Sequence, residues 1–257
     1  NPTMHKSLLL VPLLAVACSY PRFAASKTVE LDLPLAQASK LKCKTHNGSI
    51  SISPSSASDA VHVVAVLQAR GHTQKEADDN LELLSVAHSH DGDALRIYGD
   101  YPLFELSNRS PSFSYTIQVP EHLAVSLVSH NGDITTRGTS GATHIETHNG
   151  DINAHSANGS TSVETHNGRI DLSLRADQDL QGVAVSHNGD IDIRLEAGAP
   201  CWLHARTHNG NIKTPSVIHE ATISRRSVRC RIGDGEAIGD LKVTSHNGDI
   251  AVRDAND

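Results

Sequence analysis

Six residues recur through this chain almost unchanged, and their recurrence limits what the chain can fold into. THNGDI at Thr147–Ile152 returns as SHNGDI at 129–134, 186–191 and 245–250, and as THNGSI (45–50), THNGRI (165–170) and THNGNI (207–212). Seven of the 17 histidines stand at one motif position, each followed by Asn-Gly. A catalytic motif is needed once, so a signature written seven times describes architecture. From His130 onward the motif histidines lie 18, 18, 21, 21 and 38 residues apart. A period near 20 marks a solenoid or similar array, in which each unit buries its apolar face against the next. The last spacing is about twice that period, which predicts a decayed or replaced copy around 224–235.

Between the motifs the residues alternate. Thr143-His144-Ile145-Glu146-Thr147 leads into one corner and Ile152-Asn153-Ala154 leaves it; Ser162-Val163-Glu164, Ile170–Leu174, Ile191–Leu195 and Leu241-Lys242-Val243 repeat the pattern. Apolar and polar residues in strict alternation argue for half-buried strands. Each unit is then about two short strands and two corners. Two topologies satisfy this. Asn-Gly is a strong hairpin signal, giving an antiparallel β-meander. A parallel β-solenoid, or β-helix, can use the same residues at its corners. Regular spacing and near-identical corners favour the solenoid, because stacking sets like residues on like, with rungs ~4.8 Å apart.

The stretch between the first two motif histidines, which stand 84 positions apart, reads differently. Val61–Leu67 is a strand. Thr73, with Glu76 three residues on, forms a capping box for a short helix whose apolar face is Ala77, Leu81 and Leu84. Ser89–Asp93 reads as a degenerate motif copy, followed by a strand at Leu95–Tyr98. Five of the eight aromatic residues fall between Tyr98 and Tyr115. The region reads as a cap that shields the array's end from edge-to-edge association.

Before the array, Met4-His5-Lys6 precedes the apolar run Leu8–Ala17, and Ala15-Val16-Ala17 precedes Cys18. This matches a secretory signal peptide at 1–17, followed by a linker at 18–30. Cys18 is a candidate lipidation site, although the Leu of a bacterial lipobox sits one place too early. A mitochondrial transit peptide is the alternative, since no acidic residue precedes Glu30. The remaining chain divides into an N-terminal β region with its helical cap (31–120) and the tandem array (121–257), continuous as one domain. Export places the protein in the periplasm, outer envelope or extracellular space. Cys43, Cys201 and Cys230 share alternation with inward-facing residues, which predicts buried free thiols; a Cys201–Cys230 disulfide is the alternative. A formal net charge of -7 gives no electrostatic case for nucleic acid. Membrane contact is expected only through an N-terminal anchor.

The repeated Thr/Ser-x-Asn-Gly-Asp-Ile pattern resembles the putative adhesin family, exported and mostly bacterial proteins long filed as a domain of unknown function. The first motif copy at Lys44–Ile50, the helix-containing insert and Tyr115–Pro120 before the tandem copies agree with it. The resemblance spans roughly residues 28–253 and implies a β-solenoid with a surface or envelope role. It brings no catalytic residues. This chain departs from the pattern by placing His before almost every Asn-Gly.

The corner itself is the candidate site. Its structural residues are Asn47, Gly48, Asn131, Gly132, Asn149, Gly150, Asn167, Gly168, Asn188, Gly189, Asn209, Gly210, Asn247 and Gly248. Glycine is expected to take the corner dihedral, asparagine to follow it into the left-handed region, and the stacked amides to form a ladder. The histidines then point outward as a polar column. Imidazoles one rung apart can share a Zn, Cu or Ni ion with N–metal bonds near ~2.1 Å, making His130, His148, His166, His187 and His208 candidate ligands. Neighbours that charge together repel, so the column is also a candidate pH-responsive element. Asp133, Asp151, Asp190 and Asp249 follow four of the glycines, but the calcium β-roll repeat is absent and Ser49, Arg169 and Asn211 take the same place. Isolated groups such as Asp177, Asp179, Arg225, Arg226, Arg229 and Arg231 do not form a catalytic set, so neither an enzyme nor a cofactor is expected; a polysaccharide-active β-helix enzyme is the least favoured reading. The expected partner is a surface protein, a glycan or another copy of the chain.

Overall fold

The computed structural model describes residues 23–57, 59–102, 111–158, 160–175, 180–196, 200–237 and 239–254. The N-terminal part holds β1 (Phe23–Pro34), β2 (Lys40–Asn47), β3 (Ile50–Ser55), β4 (Ala60–Gly71), helix α1 (Gln74–Glu82), β5 (Ser85–Asp91), β6 (Ala94–Asp100) and β7 (Ser112–Pro120). Strand pairs joined by a motif corner follow: β8 (Ala124–Asn131) with β9 (Ile134–Arg137), β10 (Thr143–Asn149) with β11 (Ile152–Asn158), β12 (Ser160–Asn167) with β13 (Ile170–Arg175), β14 (Gln181–Asn188) with β15 (Ile191–Glu196), and β16 (Cys201–Asn209) with β17 (Ile212–Lys213). A hairpin, β18 (Ile218–Ser224) and β19 (Ser227–Ile232), precedes the last pair, β20 (Asp240–Asn247) and β21 (Ile250–Arg253).

These strands form two sheets dominated by parallel pairing. Sheet A runs β1-β4-β7-β3-β9-β11-β13-β15-β21-β17, and sheet B runs β18-β19-β16-β20-β14-β12-β10-β8-β2-β6-β5. At each Asn-Gly the chain leaves sheet B and enters sheet A, so the fold is a β-solenoid. The antiparallel meander is excluded, because corner strands pair in parallel with the equivalent strands of the next rung. The register is exact from corner to corner: Asn131 lies opposite Asn149, Asn149 opposite Asn167, and Asn167 opposite Asn188.

The core is a set of aliphatic columns between the sheets. Ile134, Ile152, Ile170, Ile191 and Ile250 each stack on their equivalents and are fully buried. Opposite them Leu127, Ile145, Val163, Ala184 and Val243 form a second column. This like-on-like packing explains how eight aromatic residues suffice for a chain of 257. Cys43, Cys201 and Cys230 are free, buried members of the core. Burial pushes the Cys201 thiol up to about 12 and raises Cys43 and Cys230 as well, which keeps all three protonated.

The ends differ from the sequence expectations in three ways. First, residues 23–30 are not linker: β1 pairs antiparallel with β4 along its whole length. Second, Ser89–Asp93 is no degraded corner. Ser89–Asp91 end β5, and Gly92-Asp93 make the β5–β6 hairpin turn that closes antiparallel pairing of Asp91 with Ala94, with Gly92 at φ +60°. Its short apolar spacing resembles the motif because both are polar turns between strands. Third, of the two expectations for 224–235, a decayed copy or a replaced one, the structure shows no decayed corner but a different element. That stretch belongs to the β18–β19 hairpin, whose second strand pairs antiparallel with β16 and carries the chain back. The last corner pair then enters the stack between two earlier ones: β20 lies between β14 and β16, and β21 between β15 and β17.

Helix α1 begins at the expected cap. Thr73 accepts from the Glu76 amide, and the Glu76 carboxylate accepts from the His72 amide at 2.6 Å. Ala77 and Leu81 are buried within it and Leu84 just beyond it. Phe113, stacked on Tyr101 at 5.8 Å, and Tyr115 are buried at the same end, so these aromatics serve as packing. Residues 103–110 of the aromatic-rich segment lie outside the described residues, as do the expected signal peptide at 1–17, Cys18, Asp177 and Asp179.

Candidate functional site

Each corner is tied to the neighbouring rung by a Thr or Ser hydroxyl and an Asn amide, in four corners also by an Asp carboxylate, around a glycine that lets the backbones approach. The inward Thr or Ser donates to the glycine carbonyl of the adjacent corner: Ser129 to Gly48 at 3.1 Å, Thr147 to Gly132 at 3.1 Å, Thr165 to Gly150 at 3.0 Å and Thr207 to Gly248 at 3.0 Å. These hydroxyls are buried, and the bond removes the cost of leaving them unsatisfied. The asparagine amides form a single ladder. Asn131 donates to Asn47, Asn149 to Asn131, Asn167 to Asn149, Asn188 to Asn167, Asn247 to Asn188 and Asn209 to Asn247, every step 2.8 Å. All donors point toward the N-terminal cap.

The glycines are required by proximity more than by dihedral. A Cβ on Gly168 would lie 2.0 Å from the Gly150 carbonyl oxygen, and one on Gly150 would lie 2.3 Å from that of Gly132. Gly48 has a true positive φ of +128°. The asparagines do not follow it: the only non-glycine residues at positive φ among those described are Ala36 and Glu220. Asparagine remains in extended backbone because the turn from one sheet to the other is completed after it.

The aspartates complete the corner. Asp133 accepts from the Asp151 amide, Asp151 from the Arg169 amide, Asp190 from the Asp249 amide and Asp249 from the Asn211 amide, at 2.7–2.8 Å. They act between rungs as backbone acceptors. Where Arg169 replaces the aspartate, its guanidinium pairs instead with Asp192, which Arg253 also contacts at 3.3 Å.

The histidines form the outward column. In spatial order the rings run His46, His130, His148, His166, His187, His246 and His208. Centroids are 4.7 Å apart for the first four steps, then 5.3 and 4.8 Å, with interplanar angles of 6–26°. The structure therefore brings His130, His148, His166, His187 and His208 into one row, with His246 between the last two. Nitrogen lone pairs lie in the ring planes, so near-parallel rings present them side by side. Among the described residues no three His, Cys, Asp or Glu side chains cluster as a metal-binding group. His130 is held below its ordinary value, first by partial desolvation, then by repulsion from His46 and His148.

One corner was invisible in the sequence. At the N-terminal end, the Phe113 carbonyl accepts from Thr45 at 3.0 Å, the Pro111 carbonyl accepts from Asn47 at 3.2 Å, and Ser114 Oγ accepts from the Ser49 amide at 3.3 Å. Residues 111–114 thus supply a corner's acceptors without its motif. Backbone carbonyls carry two of the three, and carbonyls leave no residue-type signal. Of the arginines singled out in the sequence, Arg229 sits 5.4 Å over the Trp202 ring, and Arg231 bonds Glu220 at 3.1 Å and the Gly233 carbonyl at 3.1 Å. Arg225 and Arg226 form the β18–β19 turn.

Together these features define a two-sheet β-solenoid with a repeated, hydrogen-bonded polar corner. The family model described as Toastrack DUF4097 matches residues 11–253, so the chain belongs to that family. No curated protein matches it. Among solved structures, it is similar to a putative cell adhesion protein from Clostridium sporogenes at 11% identity and TM-score 0.48, covering 90% of this chain and 100% of that one. It is also similar to a putative adhesin from Bacteroides fragilis (13%, TM-score 0.31, 90% and 99% covered) and to a putative lipid binding protein from Parabacteroides distasonis (11%, TM-score 0.29, 88% and 96%). Likeness at this level carries no argument about ligands.

Proposed function

We propose that the chain is an exported, non-enzymatic interaction module of the cell surface or envelope, binding a protein, a glycan or another copy of itself through its sheet faces. The observation that carries this reading is the unbroken register of sheet B, whose strands hold outward side chains in straight rows across rigid backbone. Rows fixed in this way form an extended surface that loses little entropy on binding. Residues 1–17 act as the export signal, and Cys18 is the place for a lipid anchor. Fractionation of the producing cell tests the first half: protein retained in the cytosol sinks the proposal. Attachment of the purified, labelled protein to intact cells tests the second, and absence of saturable binding to any surface overturns it.

The stacked histidines favour a second reading, that the column senses pH or takes up metal at the envelope. Calorimetric titration with Zn and Cu, compared with a variant carrying Ala at His130, His148 and His166, tests the metal half. Identical heats would end it.

A further inference from the structure

On the outer face of sheet B, a basin of about 550 Å³ lies over β2, β6 and β8 at the edge formed by β5. Two rows of side chains frame it. Ser89, Arg96, Lys42 and Ser126 are direct cross-strand neighbours, and so are Tyr98, Lys44 and Val128. All seven line the basin. Arg96 is committed to Asp91. Among the described residues, Lys42 and Lys44 have no carboxylate partner, and they stand two residues apart on one face of β2. Tyr98 is 41% exposed, an uncommonly open position for a large ring beside two cations.

That combination sets the ligand chemistry. Two free ammonium groups call for an anion. An open tyrosine ring beside Val128 offers a flat apolar surface, and two serines offer hydroxyl contacts; a pocket of this size suits a small molecule. The charge pattern also limits the anion's length. In the row beyond Val128 come Glu146 and then Glu164, so the first carboxylate stands two strands from Lys44, or about 10 Å. A long polyanion laid along the row would meet that repulsion, whereas a single acidic unit would not. We infer that this basin is a binding site for one carboxylated sugar ring of the uronic-acid type, held by Lys42 and Lys44 at its carboxylate and by Tyr98 against its carbon face. The inference deepens the surface-module reading and rests on it for biological meaning, but not for its chemistry.

Ligand-observed NMR on the purified full chain tests it, with methyl glucuronide as the probe and methyl glucoside and acetate as controls. Saturable binding of the glucuronide is expected, with the glucoside and acetate each weaker by about ten-fold. Lys42→Gln/Lys44→Gln should weaken the glucuronide by about ten-fold or more, and Tyr98→Ala by about five-fold, with unfolding midpoints unchanged because all three positions face solvent. Equal binding of glucoside and glucuronide overturns the proposal, as does indifference to both variants. Acetate binding as tightly as the glucuronide reduces the site to charge alone and also overturns it. Vesicles containing phosphatidylserine give the remaining arm: tight binding that needs the lysines and ignores Tyr98 assigns the basin to a membrane surface instead. Sugar binding that persists when the wild-type protein attaches to no cell defeats the surface-module reading and leaves the site standing.

Discussion

The seven corners and the two ends of the solenoid solve the same problem with different means. At a corner, one hydroxyl, one amide, one glycine and often one aspartate satisfy the next rung, and the amide bond repeats at 2.8 Å from Asn47 to Asn209. At the N-terminal end the same acceptors come from Pro111, Phe113 and Ser114. At the C-terminal end of sheet B, the β18–β19 hairpin covers β16. The contrast shows what the repeat specifies. Because every corner offers the same donors and acceptors, any corner can stack on any other, and rung order is left to the connecting segments. The last corner in the sequence therefore sits inside the stack.

The largest effect should come from removing that inserted rung. Deleting residues 240–257 takes out Leu241, Val243, Ile250 and Val252, all buried. At roughly 2 kcal/mol for each buried aliphatic side chain, the loss is about 8 kcal/mol, comparable with the whole stability of an ordinary domain. The truncated chain should lose its cooperative urea transition. A stable shortened solenoid, with β16 docked directly on β14, would show that rung order is interchangeable in practice as well as in chemistry.

Next comes the glycine contrast between corner and end. Gly168→Ala forces a Cβ to within 2.0 Å of a backbone carbonyl that cannot rotate away; the rungs must part, at a cost of about 3 kcal/mol. Gly92→Ala, in the β5–β6 turn, meets nothing within 4 Å. Its cost is limited to the left-handed dihedral, about 1 kcal/mol. Urea midpoints of the two variants measure the difference, and equal midpoints would show that the stack tolerates local spreading.

A smaller effect tests rung order directly. Asn247 both donates to Asn188 and accepts from Asn209, whereas Asn209 makes only its bond to Asn247 in the ladder. Both are exposed, so each bond is worth about 0.5 kcal/mol, at the low end for a hydrogen bond. Asn247→Ala should cost about twice as much as Asn209→Ala. The reverse ranking would place the last corner at the end of the array.

What was legible in the sequence follows from the same contrast. The strands, the corners, the amide ladder, the solenoid and the helix cap at Thr73 could be read because each depends on residue types repeated or placed at fixed spacing. The position of β20 between β14 and β16 could not, since SHNGDI at 245–250 carries no mark of its neighbour. Nor could the role of Pro111 and Phe113, whose contribution is a carbonyl. The expected left-handed asparagine failed for a related reason. Asn-Gly is read as a turn pair by habit of hairpins, whereas here proximity of stacked backbones selects the glycine and the ladder selects the asparagine. The basin over Lys42, Lys44 and Tyr98 was equally hidden, because it joins β2 to β6 and β8 across gaps of some 50 and 80 residues.

The smallest expected effect separates the histidine column from the rest of the corner. All seven rings lie beside another ring in ways the ladder does not require, and His130 has neighbours on both sides. Its pKa is depressed from the usual 6.5 in the folded state. The folded protein therefore binds this proton less readily than the unfolded chain, and stability rises with pH across the window below about 6.5. The contribution is fully present above that value and is lost as pH falls through the folded pKa. Urea midpoints at pH 7.5 and pH 5 should thus differ, and His130→Gln should narrow the difference while leaving the ladder bond between Asn131 and Asn47 in place. Comparing the change between the two pH values, rather than the midpoints themselves, removes the cost of losing a stacked ring. If the variant and the wild type lose the same stability on acidification, repulsion within the column is not felt at His130, and the histidines are packing residues of the corner like their asparagine neighbours.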